Sequence, residues 1–457
     1  METLRVVDLF AGLGGFHLAA SKLGHECVFA SEIDARLREG YATNFKGETG
    51  PVVGDIRKHV DEVPRHDILC AGFPCQPFSK SGFQNGVEDQ TRGTLFNQIV
   101  QIAAQRKPST IVLENVGNFE RHDGGNTWRT VRAALEKLGY NVRGTEHKAS
   151  GGHGLMSPHH FGHPHHRERF FAIASLEELP DDPFPREFTG RGQTLADLVE
   201  PNSDLNKEDK AETKLTDKQV RCVEHWNSYL AALPESQEVP HPLWGDEFGA
   251  RYLYASTTPH GATPAQLRES MGDPHFRKYA RKSAMLAQLP SYARTPQDAF
   301  PKWKVAFIKR NRDHYTAVKG ELPKGWMANL KTFPASLRKL EFNCKGESRD
   351  LWEHVLQFRP SGLRAKRYTA APALVAMTTT QVPILGPKKR FLTRREGLLL
   401  QGFPKTWAMP KSRGEAFQAL GNGVHVDVAR RIVKAATTNW PTATSNSKAR
   451  MEAMVVA

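Results

Sequence analysis

Residues 4–30 read LRVVDLFAGLGGFHLAASKLGHECVFA. An apolar run, a glycine-rich turn, a short helical stretch and a second apolar run succeed one another in this span. Leu4–Phe10 shows no alternation of apolar and polar positions, so it reads as a strand covered on both faces. His17–Leu23 has helical spacing, and His25–Ala30 is a second strand. Strand, turn, helix and strand in that order make the unit of a parallel sheet with helices on both sides. The same alternation continues outward. A helix is predicted near Ala35–Asn44, strands at Pro51–Ile56 and Asp67–Ala71, and a helix over Gly93–Arg106, where Leu95, Ile99, Ile102 and Ala103 share a face. Thr110–Glu114 reads as a strand, Thr127–Leu138 as an amphipathic helix and Arg169–Ala174 as a late strand. The expected fold is α/β, a doubly wound, mostly parallel sheet. Such sheets bind ligands beyond the carboxyl ends of their strands, and Gly12, Glu32, Asp55, Cys75 and Glu114 all follow strand ends.

The chain has 457 residues, enough for one large and one smaller domain. Apolar residues make up 39%, which excludes a disordered chain, and no run approaches the roughly 20 apolar residues of a bilayer span. The N-terminus lacks the pattern of a secretory signal, so a cytoplasmic location without membrane contact is expected. The five cysteines, Cys27, Cys70, Cys75, Cys222 and Cys344, are odd in number and widely spaced. That argues against a disulfide framework and leaves each of them open as a working thiol. The net charge is +14, and it is segregated. Arg251–Ala370 holds 23 Lys+Arg against 9 Asp+Glu, while the rest of the chain is balanced at 40 of each sign. A solvated basic surface would account for this. Aromatics interleaved with the charge (Tyr252, Tyr254, Trp303, Phe307, Trp326, Trp352) favour a face that follows a phosphate backbone.

Several short motifs carry chemistry. Asp8–Phe16 (DLFAGLGGF) brings backbone close to a nucleotide-like ligand, or is only a tight strand–helix turn. Its glycines do not have the GxGxxG spacing of a dinucleotide site, which disfavours a nicotinamide oxidoreductase. Glu32 lies where a carboxylate can take ribose hydroxyls, unless it is an ordinary solvated acid. Asp55 can accept from an exocyclic amine or cap a helix. Gly72–Ser79 (GFPCQPFS) holds a cysteine between two prolines. A buried small hydrophobe is the usual fate of a free cysteine, but these neighbours suit an exposed loop, and a thiolate is the best side-chain nucleophile near neutral pH. Glu114 ends a strand in VLENV, as a ring-protonating carboxylate or as a cap. Arg167 and Arg169 alternate in HRERFF, so on a strand they face one way. The histidines His153, His159, His160, His163, His165 and His166 lack a carboxylate or cysteine at ligand spacing, and no metal is expected.

DLFAGLGGF, SEID, GDI, GFPCQPFS, RGTLF, ENV, RERFF, LTRREGLLLQGFP and GNGV occur in this order. The ordered set resembles the cytosine-5 DNA methyltransferases, especially the bacterial modification methylases of type II restriction–modification systems. It covers residues 1–175 and 390–430. The intervening segment, about 185–385, falls where that family keeps its variable target-recognition region, and it contains the basic excess. The sequence departs from the family pattern at His165, where glutamine is usual, and at Gly423, where serine or alanine is usual.

The resemblance implies a Rossmann-like fold dependent on S-adenosyl-L-methionine, with a smaller, irregular DNA-recognition domain. The implied boundaries are 1–185 for the catalytic and cofactor domain, 186–414 for recognition, 415–436 for helices returning to the first domain, and 437–457 for a disordered tail. It implies Phe10, Gly12, Leu13, Gly14, Gly15, Glu32, Ile33, Asp55, Ile56, Pro74, Leu95, Asn422 and Val424 around the cofactor. Cys75 is the implied nucleophile and Glu114 the group at the cytosine ring. Arg167 is the first partner of the ring or of Glu114, and Arg169 the second. Gln76, Ser79, Ser81 and Arg92 belong to a loop, Gln76–Gly93, implied to close over a flipped base, and Arg364, Arg367 and Thr378 are candidates for reading DNA. The implied partners are double-stranded DNA and, functionally, a restriction endonuclease, with the enzyme a monomer. A transfer-RNA-modifying relative would carry a Cys-Phe-Thr signature that is absent here, and a non-enzymatic relative would often lack the Pro-Cys or the glutamate.

Overall fold

The computed structural model describes residues 2–48, 50, 52–74, 95–146, 154–272, 276, 278–376 and 379–438. The chain divides into two units. The first comprises Met1–Glu200, Thr369–Thr379 and Thr393–Ala457, and the second Pro201–Tyr368 and Thr380–Leu392.

The first unit is built on a seven-stranded sheet. Its strands are β1 (Arg5–Leu9), β2 (Glu26–Ser31), β3 (Val52–Val53), β4 (Ile68–Gly72), β5 (Thr110–Val116), β6 (Asn141–Gly144) and β8 (Arg169–Ser175), in the order β3-β2-β1-β4-β5-β8-β6. β7 (His165–His166) lies outside this sheet. The pairs from β3 to β5 are parallel, while β8 runs antiparallel to both β5 and β6. Helices α1 (Gly15–Ser21), α2 (Ala35–Asn44), α3 (Phe96–Arg106) and α4 (Asn126–Lys137) connect the strands. The apolar runs read from the sequence form the core: Val7, Leu9, Leu69, Ala71, Ile111 and Leu113 are buried with Ile99, Ile102, Val131 and Leu135 of the helices.

The expected mostly parallel, doubly wound sheet is present, with shorter or shifted elements at several points. The third strand spans only Val52–Val53, because Asp55 accepts from the Arg57 N–H and starts a 3-10 turn. α1 begins two residues early, at Gly15, because Gly14 adopts φ 82° and caps the turn. The polar, mixed-charge stretch from about Asp181 to Lys218, which by its sequence reads as a linker or surface insertion, contains helix Lys207–Thr213 and the first residues of helix Asp217–Ala232. Asn206 caps the first, and Thr216 with Gln219 forms a capping box on the second.

The second unit, whose fold the sequence pattern leaves open, carries a six-stranded sheet. It contains β9 (Leu243–Trp244), β10 (Lys339–Asn343), β11 (Val355–Arg359) and β12 (Gly362–Lys366). β13 (Ala371–Pro372) belongs to the first unit, and β14 (Ile384–Leu385) and β15 (Arg390–Phe391) complete the second sheet in the order β15-β14-β11-β12-β10-β9. Between β9 and β10, a separate apolar cluster of Tyr252, Leu267, Phe276, Met285, Phe300 and Ile308 supports helices Pro264–Met271, Lys282–Ala287 and Lys302–Val318.

The domain limits expected at 185/186 and 414/415 differ from these units. Residues 186–200 stay with the first unit: the Leu195 N–H donates to the Thr369 carbonyl and the Glu200 N–H to Glu396. Thr369–Thr379 returns to it as well, pairing β13 in parallel with β7. Helices Arg394–Leu400, Arg413–Asn422 and Val426–Thr437 close the first unit, the last packing on α1. Residues 439–457, which include most of the expected tail, lie outside the described residues. Among the described residues no helix is long and apolar enough to cross a membrane.

Candidate active site

The carboxyl ends of β1, β2, β4 and β5 open on one cavity of about 420 Å³ in the first unit. Two left-handed residues shape its floor, Phe10 at φ 57° and Gly12 at 56°, and a third, Gly14 at 82°, follows just outside it. These reversals turn the chain sharply after β1 and deliver the Gly12 N–H to Glu32 Oε2 at 2.9 Å. Glu32 Oε1 accepts from the Asp34 N–H at 2.8 Å. The buried carboxylate thus joins the loops after β1 and β2, and each oxygen keeps a lone pair for a ligand hydroxyl. Beside it, Ile33 is 68% exposed within the concavity, an apolar surface that a flat ring would cover. Asp55 completes this side, its carboxyl held below the usual range first by the Arg57 guanidinium. It is both the cap of its turn and part of the cavity wall.

The opposite side carries Phe73, Pro74, Glu114, Asn115 and Arg169. Gly72 of β4 pairs with Glu114 of β5, so the Phe73–Pro74 segment leaves the sheet beside the carboxyl. Asn115 holds the two together, its Nδ2 donating to the Phe73 carbonyl at 2.9 Å while its Oδ1 accepts from the Val116 N–H. Burial raises the Glu114 pKa, opposed by the charges of Arg169 and Arg167. Arg169 Nε lies 3.0 Å from Glu114 Oε1, close enough for an ion pair although the N–H is not aimed along a hydrogen bond.

The two alternating arginines diverge in use, which corrects the expected ranking. Arg167 does not line the cavity. Its buried guanidinium donates to the carbonyls of Leu374 (3.1 Å), Gly421 (2.8 Å) and Gly423 (2.7 Å). It therefore fastens the wall formed by Gly421, Asn422, Gly423 and Val424, and the arginine facing Glu114 is Arg169.

Of the residues expected around the cofactor, Phe10, Gly12, Glu32, Ile33, Asp55, Ile56, Pro74, Leu95, Asn422 and Val424 line this cavity. Leu13, Gly14 and Gly15 do not. Leu13 is buried, with its carbonyl accepting from Trp407 Nε1. A Cβ on Gly14 would sit 2.4 Å from the Phe45 ring, and one on Gly15 would sit 2.8 Å from the Val424 carbonyl oxygen. The absence of a side chain at these glycines leaves room for the Phe45 ring and for Val424. The sequence reading missed Ser31, Asp34, Arg36, Glu415 and Gln418 as lining residues. Arg36 grips both Asp34 and Glu415, a link across 379 positions of chain that no local pattern announces. Asn115 was legible only as the middle letter of ENV.

Cys75, Gln76, Ser79, Ser81, Arg92, Thr378 and the rest of the expected closing loop lie outside the described residues. The four described cysteines are all buried. Burial pushes the thiols of Cys27, Cys222 and Cys344 up to about 12 and that of Cys70 well above its ordinary value, which suits inert packing rather than nucleophilic work. In the second unit Arg364 is paired with Glu341, and Arg367 with Glu347 at 3.1 Å. Of the clustered histidines, His163 Nε2 meets Asp427 at 2.9 Å and His165 Nδ1 donates to the Leu400 carbonyl, while His153 lies outside the described residues.

The sequence matches the model of the C-5 cytosine-specific DNA methylases over residues 4–438. The chain belongs to that family. It is 32% identical to the type II methyltransferase M.AluI of Cellulosimicrobium cellulans, over 94% of this chain and 91% of that one. It is 41% identical to M.HhaI of Haemophilus parahaemolyticus, over 44% of this chain and 58% of that enzyme. It is likewise 41% identical to M.MspI of a Moraxella species, over 40% of this chain and 41% of that enzyme. This methylase is a DNA (cytosine-5-)-methyltransferase, and the family and fold imply S-adenosylmethionine as methyl donor.

Proposed function

We propose that the enzyme transfers a methyl group from S-adenosyl-L-methionine to C5 of a specific cytosine in duplex DNA, through a covalent bond between Cys75 and C6. One observation carries this reading: Glu114, Glu32 and Pro74, the residue immediately before Cys75, line a single cavity. The cavity fits the donor. Its volume lies in the range of small-molecule sites, Glu32 has free lone pairs for ribose hydroxyls, and Ile33 offers an uncovered apolar face to a purine. Asp55 and Ile56 would frame that purine, while Phe10, Gly12, Asn422 and Val424 would enclose the rest. Bound there, the donor supplies an electrophilic methyl carbon.

The remaining chemistry falls to the chain and the base. Cytosine C5 is a poor nucleophile because its electrons belong to an aromatic ring. Addition of the Cys75 thiolate to C6 breaks that conjugation and pushes an electron pair toward C5 and N3. Glu114, kept protonated more readily by burial, is suited to donate to N3 and to accept from the exocyclic amine. Arg169 holds Glu114 in place. C5 then takes the methyl group, water removes the C5 proton, and departure of Cys75 restores the ring. Both faces of the ring must be reached, so the base leaves the duplex stack. The similarity to type II enzymes supports a protective role beside a restriction endonuclease.

The test combines transfer of labelled methyl to unmethylated DNA with trapping on a duplex carrying 5-fluorocytosine. The expected adduct maps to Cys75, and Cys75→Ser abolishes both adduct and turnover. An adduct on another residue, or wild-type turnover by the variant, defeats the proposal.

A further inference from the structure

Among the described residues, four large apolar side chains are exposed. Ile33 and Val116 line the cavity, and Phe188 lies over Gly162 and Gly190. Trp303, 58% exposed, has no such explanation. It stands near the start of helix Lys302–Val318 in the second unit. Leaving an indole in water forfeits the apolar burial it could otherwise gain, and its surroundings indicate what would cover it.

Trp303, Phe307 and Arg310 are spaced i, i+4, i+7, so they share one face of the helix. The Phe307 ring meets Trp303 edge-on at 5.8 Å, and the Arg310 guanidinium lies 5.7 Å from the Phe307 centroid. Phe307 continues to Trp244 at 5.9 Å, where Lys339 Nζ lies 5.5 Å from the indole. Lys302 and Arg310 are exposed beside these rings. From Phe276 to Lys319 the sequence holds 11 Lys+Arg and 2 Asp+Glu, and one of those acids, Asp313, is turned to Lys309. The opposite face is fixed: Ile308 is part of the local core, and Asn311 accepts from the Trp244 N–H and donates to the Pro242 carbonyl. The result is a rigid helix presenting aromatic rings alternating with cations.

We propose that this face docks the sugar–phosphate backbone of duplex DNA, with Lys302 and Arg310 on phosphates and Trp303 packed on a deoxyribose. The charge is complementary to a polyanion, and the indole matches the apolar sugar edge between phosphates. Such contacts are independent of base sequence and hold the duplex before any base is read. The proposal rests on the reading of the chain as a DNA-modifying enzyme.

The test measures anisotropy of a fluorescent duplex of arbitrary sequence against salt, alongside methylation of unmethylated plasmid DNA. Lys302→Ala/Arg310→Ala is expected to weaken binding about tenfold and to lower the log–log salt slope by roughly 2. Trp303→Ala is expected to weaken binding several-fold with the slope unchanged, because no charge is removed. Both should raise KM for DNA and leave kcat unaltered. Lys46→Ala/Arg65→Ala, two exposed cations of the first unit, serves as the charge-matched control. An unchanged slope in the first variant, an equal drop in the control, or undiminished binding by Trp303→Ala overturns the proposal. Absence of methylation by the unmutated enzyme would instead strike the catalytic reading and leave the binding result standing.

Discussion

The cavity of the first unit and the helix face of the second treat charge in opposite ways. At the cavity, charges are withdrawn from water and held: Glu114 is buried against Arg169, Glu32 accepts two backbone N–H groups, and Arg167 spends its donors on three carbonyls. On helix Lys302–Val318, cations stand in solvent beside an uncovered indole. Held groups act at defined atoms, so their loss should be large and specific. Solvated groups act through summed field and surface, so each should matter less and depend on salt.

The sharpest break comes at Glu114. Glu114→Gln cannot supply the N3 proton, so kcat is expected to fall by about 10²- to 10⁴-fold, with donor binding retained in calorimetry. A fall of less than threefold would place the proton elsewhere. Arg167 and Arg169 sharpen the contrast within the first unit. Arg167→Lys loses carbonyl contacts in a dry site and should cost about 3 kcal/mol of stability, read by denaturant unfolding. Arg169→Lys should leave unfolding nearly unchanged and lower kcat. If the two signatures were exchanged, the structural division of labour would be wrong.

Glu32→Gln should weaken donor binding roughly 10- to 100-fold, in line with charge-assisted hydrogen bonds of about 1.5–3 kcal/mol. Calorimetry with the demethylated donor would measure it, and unchanged affinity would remove Glu32 from the site. The smallest effect is expected at Asp8, buried within β1, where among the described residues the His17 N–H donates to its carboxyl. Burial chiefly, with the charge of Glu32, raises its pKa well above the ordinary value, against that hydrogen bond. The folded state therefore favours the protonated carboxyl. Its contribution is full below the ordinary carboxylate pKa and is lost as pH rises through the raised one. Asp8→Asn should flatten that decline in melting temperature as pH rises above the ordinary carboxylate pKa, and an unaltered pH profile would show that burial does not hold the Asp8 carboxyl protonated.

The first sheet was largely legible because its central strands are covered on both faces and so leave continuous apolar runs such as LRVVDLF. The second unit was not. β9, β14 and β15 are only two residues long, too short to leave a period, and helix Lys302–Val318 buries polar residues such as Asn311 and His314 on its inner face. In the site, strand-end residues such as Glu32 and Glu114 could be found from order alone. Arg36 with Glu415, and Asn115 with Phe73, could not, because their partners are remote in sequence.

By itself, the amino-acid sequence determined the parallel α/β core, the family through its ordered motifs, and the segregation of positive charge into one segment. These are properties of local pattern and of composition, and they survive without coordinates. Only the tertiary structure decided which arginine faces Glu114, why Gly14 and Gly15 are small, and that residues 369–379 belong to the first unit. Such facts depend on which distant segments meet. Close packing admits one neighbour at each point, and no local spacing records which one it is.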